Sequence, residues 1–287
     1  MWNRSGISCS LTALLAALWF MAVPSRIRAE SAPLLVFYGP SAPLEALLPF
    51  DLLVFDGAAH PPIESLTERD KTTLGYLSLG EVKNHHPYFK ALERERLLLE
   101  ENVNGKASFF IDLRDRRWTQ RVIEELVPRL IRKGFDGIFL DTLDTPPFLE
   151  KREPEKFKGM REAAINLVKT IRLHYPQQKI MMNRGYALLP EVGPHIDMLM
   201  AESLRSSHDF ANNRYYRVDE AQYRTMVDVL QKTAKRFVNL KIYTMDYWDT
   251  DDGPGVAAIY REERANGFLP YVSTIKLDQI TPPPQEQ

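Results

Sequence analysis

Carboxylates that end short apolar runs are the residues of this chain best suited to chemistry. The pair that stands out is Asp141 with its neighbour Asp144, in GFDGIFLDTLD (134–144), and Glu202, in DMLMAESL (197–204). Gly137 to Leu140 and Met198 to Ala201 are apolar to the last position, so each delivers an acid where a strand should stop. Two carboxylates facing one cleft cleave a glycosidic bond without a cofactor: one protonates the leaving oxygen, the other attacks the anomeric carbon or activates a water. A carboxylate at such an edge is costly to hold without a purpose or a partner. The competing reading is a helix cap or an ion pair with Arg184. Asp144, one turn beyond Asp141, is an alternative to it in the acid–base role.

The other apolar runs end similarly, in Asp56, Glu81, Asp112, Asn183 with Arg184, and Asp246 with Asp249. Aromatic residues accompany them: Tyr38, Tyr76, Tyr186, Tyr215, Tyr247 and Trp248. Ring faces stack on the C–H faces of a pyranose and carboxylates accept its hydroxyls, while the same set would hold an ammonium group by cation–π and charge pairing. Taken singly, these acids also serve as turn or cap residues, and these rings as ordinary barrel packing. Asp51, Asp136 and Asp197 precede their runs and belong to the opposite, structural rim. The pair His85-His86 has no third ligand at a recognisable spacing, so no metal site is expected. No GxSxG, HExxH, P-loop or GxGxxG stands in a suitable context, and no cofactor is expected.

Parallel strands are the elements that would gather such acids. Apolar, β-rich runs fall at 34–38, 52–55, 74–79, 108–113, 137–141, 179–183, 198–201, 241–245 and 268–273. Stretches with helical period lie between several of them, at 118–133, 155–174, 219–237 and 256–266. Near-continuous apolar strands separated by helices indicate a parallel sheet covered on both faces. The number of units predicts an α/β fold, a closed (β/α)8 TIM-type barrel forming a single domain over residues 30–280, with catalytic groups at the C-terminal edge of its strands. Nine runs are one too many for eight strands, so either 108–113 or 34–38 lies outside the ring. The link between 179–183 and 198–201 leaves room for only a turn or two of helix.

The first 29 residues read as a secretory signal: Arg4, the apolar stretch Leu11 to Val23, and a cleavage point after Ala29. An uncleaved signal would instead leave a membrane anchor. Cys9, the sole cysteine, lies inside it, so the exported chain has no disulfide and is held by its core. The formal charge of −1 includes Arg4, Arg26 and Arg28, so cleavage makes the protein more acidic. An acidic exported domain is a poor partner for nucleic acid or anionic lipid. Periplasmic or secreted localisation is expected, with a disordered tail over 281–287. The bare residues leave two further classes open: a non-catalytic polysaccharide-binding component of an export system, and a structural barrel docked to a membrane complex.

Five motifs, YLSLGEV (76–82), IDLRDRRW (111–118), GFDGIFLDTLD, MNRGY (182–186) and AESL (201–204), resemble glycoside hydrolase family 114, and TMDYW (244–248) and GFLPYVS (267–273) continue the likeness. The resemblance implies a (β/α)8 barrel with endo-α-1,4-polygalactosaminidase activity on partly deacetylated, galactosamine-containing biofilm polysaccharide. It implies a retaining mechanism with Asp141 or Asp144 as nucleophile and Glu202 as general acid/base. Free amines of galactosamine are cations, so Asp56, Glu81, Asp112, Asp246 and Asp249 would bind them along a cleft, beside Tyr38, Tyr76, Asn183, Arg184, Tyr186, Tyr247 and Trp248. A polysaccharide export or deacetylase partner is the further implication.

Overall fold

In the computed structural model, which describes residues 33–103, 105 and 107–284, eight parallel strands succeed one another in chain order around one sheet. They are β1 (Leu34–Phe37), β2 (Leu52–Phe55), β3 (Thr72–Ser78), β4 (Gly137–Asp141), β5 (Lys179–Asn183), β6 (Met198–Glu202), β7 (Lys241–Tyr247) and β8 (Leu269–Ser273). Strands β1 and β2 share the sequence LLVF and bury every residue, as strands covered on both faces must. The edges of the order, β1 and β8, are drawn together where the Tyr271 hydroxyl donates to the Val36 carbonyl at 3.3 Å and the Tyr38 amide donates to Leu277 at 2.7 Å. The result is a nearly closed (β/α)8 barrel. Pro270 removes one donor from β8, which a strand tolerates at an edge.

Eight of the nine expected runs are in the ring. The ninth, Ser108–Ile111, pairs antiparallel with Glu81–Lys83 and Leu98–Glu101 in a small sheet beyond the end of β3, while 34–37 belongs to the barrel. A second hairpin, Ser206–Asp209 with Arg214–Arg217, follows β6. Helices occupy each expected stretch with altered ends. The one over 116–132 contains a π turn at Val122–Leu126, two residues before Pro128, whose missing N–H cannot continue the regular ladder. The stretch 155–174 breaks at Gly159, which takes φ +86°, so the long helix is Met160–His174. Between β5 and β6 lies one four-residue helix, Leu189–Val192, flanked by single 3₁₀ turns.

The N-terminal rim is held by the acids that precede the strands. One Asp136 oxygen accepts from the Thr73 amide and hydroxyl, at 2.8 and 3.0 Å. One Asp197 oxygen accepts from the Ile180 amide at 2.8 Å and from Arg172 at 2.6 Å. These contacts lock adjacent strands in register at the end away from the site. The expected signal, residues 1–29, lies outside the described residues, as do 285–287 of the expected tail; residues 281–284 carry no regular secondary structure. Among the described residues no helix is long and apolar enough to cross a membrane.

Candidate active site

Strand alternation sends every second side chain into the barrel. Phe139, Met181, Met200 and Met245 therefore form a buried layer, and the next inward positions toward the C-terminal rim are Asp141, Asn183, Glu202 and Tyr247. These four side chains make one chain of hydrogen bonds. The Tyr76 hydroxyl donates to Asp141 Oδ2 at 2.7 Å. The Asn183 amide donates both to Asp141 Oδ1, at 3.0 Å, and to Glu202 Oε2, at 2.6 Å. The Tyr247 hydroxyl donates to Glu202 Oε1 at 2.6 Å. The two hydrogens of one amide diverge by about 120°, so the carboxylate oxygens they bridge stand roughly 5 Å apart. Asn183 is only 4% exposed, and it fixes that spacing from below.

The backbone turns sharply after each of these three strands. Thr142, Arg184 and Ser203, the residues that follow Asp141, Asn183 and Glu202, take φ of 61°, 53° and 56°. Left-handed backbone is unfavourable for side chains of this kind, and most of all for a β-branched threonine. Thr142 is held there by its hydroxyl, which donates to the Asp141 carbonyl at 2.6 Å, accepts from the Gly80 amide at 2.8 Å and lies 2.9 Å from the Ser78 hydroxyl. Gly80 is required by the same contact, because a Cβ there would come 2.3 Å from the Thr142 carbonyl oxygen.

Burial and the charge of Asp141 push the Glu202 carboxyl up, against the opposing pull of the Tyr247 and Asn183 hydrogen bonds. Burial pushes the Tyr38 phenol well up, and the charges of Asp141, Glu202 and Asp56 add to it, so Tyr38 overlooks all three acids. Asp144 stands apart from the chain of bonds. It is half-exposed at the start of the helix Thr145–Arg152, forms a 3.5 Å ion pair with Arg184, and is pushed up by burial against the pull of that arginine. The arrangement presents a protonatable acid and a hydrogen-bonded carboxylate across a gap of about one sugar ring.

The remaining expected binding residues divide. Tyr38, Tyr76 and Asp56 line one cavity of about 610 Å³ that reaches Asp141. Tyr186, half-buried, senses the charges of Arg184, Glu202 and Asp144, which places it at the same mouth. Trp248 is half-buried, donates to Asp252 at 2.9 Å and carries the Arg217 guanidinium over its ring at 5.5 Å. Glu81 lines the cavity but its oxygens are engaged by Asn102, Ser108 and Thr145 at 2.8–3.2 Å, so it organises the loop after β3. Asp112 is held in a two-pronged ion pair by Arg114, both bonds 2.8 Å, and does not line that cavity. Asp249 accepts from the Asp251 amide at 3.1 Å in a surface turn.

Asp246 requires a correction: it is fully buried on the outward side of β7 and does not reach the cleft. Alternation is the reason, since Tyr247 points in and Asp246 must therefore point to the helix layer. Its Oδ1 accepts the backbone amides of Arg205 and Ser206, at 2.7 and 2.8 Å, and so anchors the segment that leaves Glu202. Sequence reasoning missed the hairpin after β6, whose His208 packs edge-on to Phe210 and Tyr215, both at 5.0 Å. Among the described residues no group of three or more His, Cys, Asp or Glu is placed to hold a metal ion.

Comparison with known proteins adds four findings. The glycoside hydrolase domain of PelA from Pseudomonas aeruginosa is 25% identical, with a TM-score of 0.77 over 87% of this chain and 97% of that domain. Aspergillus fumigatus Ega3, solved in complex with galactosamine, shares the fold at 12% identity, with a TM-score of 0.62 over 86% of this chain and 91% of its own. A Deinococcus radiodurans protein of uncharacterised role is 23% identical over 244 residues, 81% of this chain and 75% of its own length. The family model of the GH114 glycoside hydrolases matches residues 26–287. A barrel with two bridged carboxylates at its mouth and a family match over nearly its whole length has one reading: this chain is a glycoside hydrolase and belongs to family GH114.

Proposed function

We propose that the protein is an exported, endo-acting hydrolase of α-1,4-linked, partly deacetylated galactosamine polysaccharide, working with retention of anomeric configuration. The observation that carries this reading is the single Asn183 amide that bridges Asp141 and Glu202. Carboxyl groups about 5–5.5 Å apart suit a retaining mechanism, whereas inversion needs roughly 6.5–9.5 Å to admit a water. Galactosamine bound to Ega3, a protein of the same fold, supports this substrate class.

In this mechanism Glu202, whose carboxyl is pushed up by burial and by Asp141's charge, gives its proton to the glycosidic oxygen as that bond breaks. Asp141, hydrogen-bonded by Tyr76 and Asn183, attacks the anomeric carbon and forms a glycosyl ester. Esterification removes the negative charge that raised Glu202, whose pKa then falls, and Glu202 becomes the base for the second step. It takes a proton from water, the hydroxide adds to the anomeric carbon, and Asp141 leaves as the carboxylate. Asp144, ion-paired outside this chain of bonds, is assigned to the sugar amine rather than to attack. An exported enzyme meets its polymer outside the cytoplasm, so a deacetylase that frees the amines or an export assembly is the fitting partner.

Incubation with partly deacetylated polygalactosamine tests the assignment. Wild type should release oligosaccharides, and Glu202→Gln and Asp141→Asn should release almost none while keeping the native circular dichroism spectrum. Monomeric products, or full activity in Asp141→Asn, would contradict it.

A further inference from the structure

The cavity that reaches Asp141 runs away from Glu202, past the ends of β2 and β3, to the helix that carries Arg129. Its far end differs in charge from its near end. At the near end stand the carboxyls of the site. At the far end stand Arg129 and Lys133 with a single acid, Asp56.

Most polar groups there are already satisfied. The Lys133 ammonium donates to the carbonyls of Gly57 and Ala58, at 2.8 and 3.0 Å. Asp56 Oδ1 accepts the amides of Ala58 and Ala59, at 2.7 and 2.8 Å, and its other oxygen is uncommitted. Arg129 is exposed and makes no hydrogen bond or ion pair among the described residues. His86, which senses the charges of both Asp56 and Arg129, has a buried Nδ1 without a partner. Burial pushes its imidazole down, so it adds no charge near neutrality. Buried polar groups left without partners are exceptions that call for a ligand or water.

These leftovers match one chemical group. A free sugar amine is a cation, and two cations against one carboxylate repel it. An anion would meet Asp56. A neutral acetamido group has one N–H for the free Asp56 oxygen, one carbonyl for Arg129, and a methyl for the apolar wall of Leu126 and Leu130.

We infer that this arm is a subsite for N-acetylated sugar units, so that the enzyme reads the acetylation pattern of the chain it cuts. The inference rests on the proposed polygalactosaminidase reading and deepens it: amines are drawn to the carboxylates at the point of cleavage, and acetamides are selected on the Asp141 side of it. The arm is a specificity device built from the loop after β2, the loop after β3 and the helix with the π turn, a distortion that recurs at functional sites.

Mass-spectrometric sequencing of products from randomly acetylated polygalactosamine tests it, with wild type and Arg129→Glu compared. Wild-type products should carry an N-acetyl unit at one fixed position from the new chain end. Charge reversal should shift the ratio of kcat/KM on acetylated against deacetylated polymer by about tenfold or more toward the deacetylated one. Random acetylation around the wild-type cut, or an unmoved ratio in an Arg129→Glu protein with native Tm, would overturn the subsite. Should wild type cut no such polymer, the hydrolase reading fails by itself, and calorimetry on Glu202→Gln still decides the arm. Acetylated oligosaccharide should bind it more tightly than the deacetylated form, and Arg129→Glu in the same background should abolish the difference; equal binding would overturn the inference.

Discussion

Asp246 on β7 and Glu263 on the helix Gly253–Ala265 are both 0% exposed, and they repel one another through their charges. Asp246 is committed by one oxygen to the backbone after Glu202, and its other oxygen has no hydrogen-bond partner. Burial pushes both carboxyls up, and for Glu263 the charge of Asp246 adds to it. Two such groups cannot both ionise at low cost.

Stability should therefore depend on pH in a defined sense. Both folded-state pKa values are raised, so the folded protein holds protons that the unfolded chain releases above about pH 4. The stabilising protonation is fully present below that pH and is lost as pH rises through neutrality. Thermal melts from pH 5 to 8.5 should show Tm falling with pH, and Glu263→Gln should flatten the slope. A slope unchanged by Glu263→Gln would remove this pair as its cause.

Among the described residues, Asn183 is the single side chain hydrogen-bonded to both site carboxylates. Asn183→Ala should lower kcat/KM by about 10²–10³, the usual loss for one preorganised donor at a reacting centre. Asn183→Asp, which places a third carboxyl between the two, should be worse than the alanine. Steady-state kinetics on the polymer checks the ranking, and an alanine variant within threefold of wild type would contradict it.

The Tyr247 hydroxyl donates to Glu202 and pulls its pKa down. Tyr247→Phe removes that pull, so the Glu202 proton should be held to higher pH. The alkaline limb of the kcat/KM profile should move up in pH, with the acid limb little changed. Movement of that limb to lower pH would reverse the assignment of Glu202 as the acid.

Ser203 takes φ 56° next to Glu202, a conformation that glycine accepts freely and a β-branched residue resists. Ser203→Gly should leave Tm within a few degrees of wild type. Ser203→Val should cost about 1–2 kcal/mol and should also lower kcat, because the turn aims Glu202. Urea titration paired with kcat checks both effects together.

The barrel and its acids were legible because both depend on local pattern. Strands such as LLVF and GIFL read as doubly buried, and their last residues fall at one rim wherever the strands are parallel. The pairing of Asp141 with Glu202 follows from that geometry together with the motifs shared with the family. Three features were not legible. Whether an acid faces the cleft or the helices turns on one residue of register, which is why Asp246 was misplaced beside Tyr247. Whether an acid is free or committed depends on partners far along the chain, as for Glu81 with Asn102, Ser108 and Thr145. The hairpin of Ser206–Arg217 is short and polar, and it carries no apolar periodicity to mark it. YLSLGEV shows Gly80 but not the reason for it, which is the Thr142 carbonyl oxygen 2.3 Å from where a Cβ would stand.

Trapping the glycosyl–enzyme with an activated fluorinated galactosamine donor, and locating the added mass by peptide fragmentation, identifies the nucleophile directly. Both Asp141 and Asp144 lie between Lys133 and Lys151, so fragmentation of that one peptide distinguishes them. The sugar should appear on Asp141, formed by wild type and no longer turned over in Glu202→Ala. A sugar on Asp144, or inverted product with no adduct on either acid, would contradict this assignment.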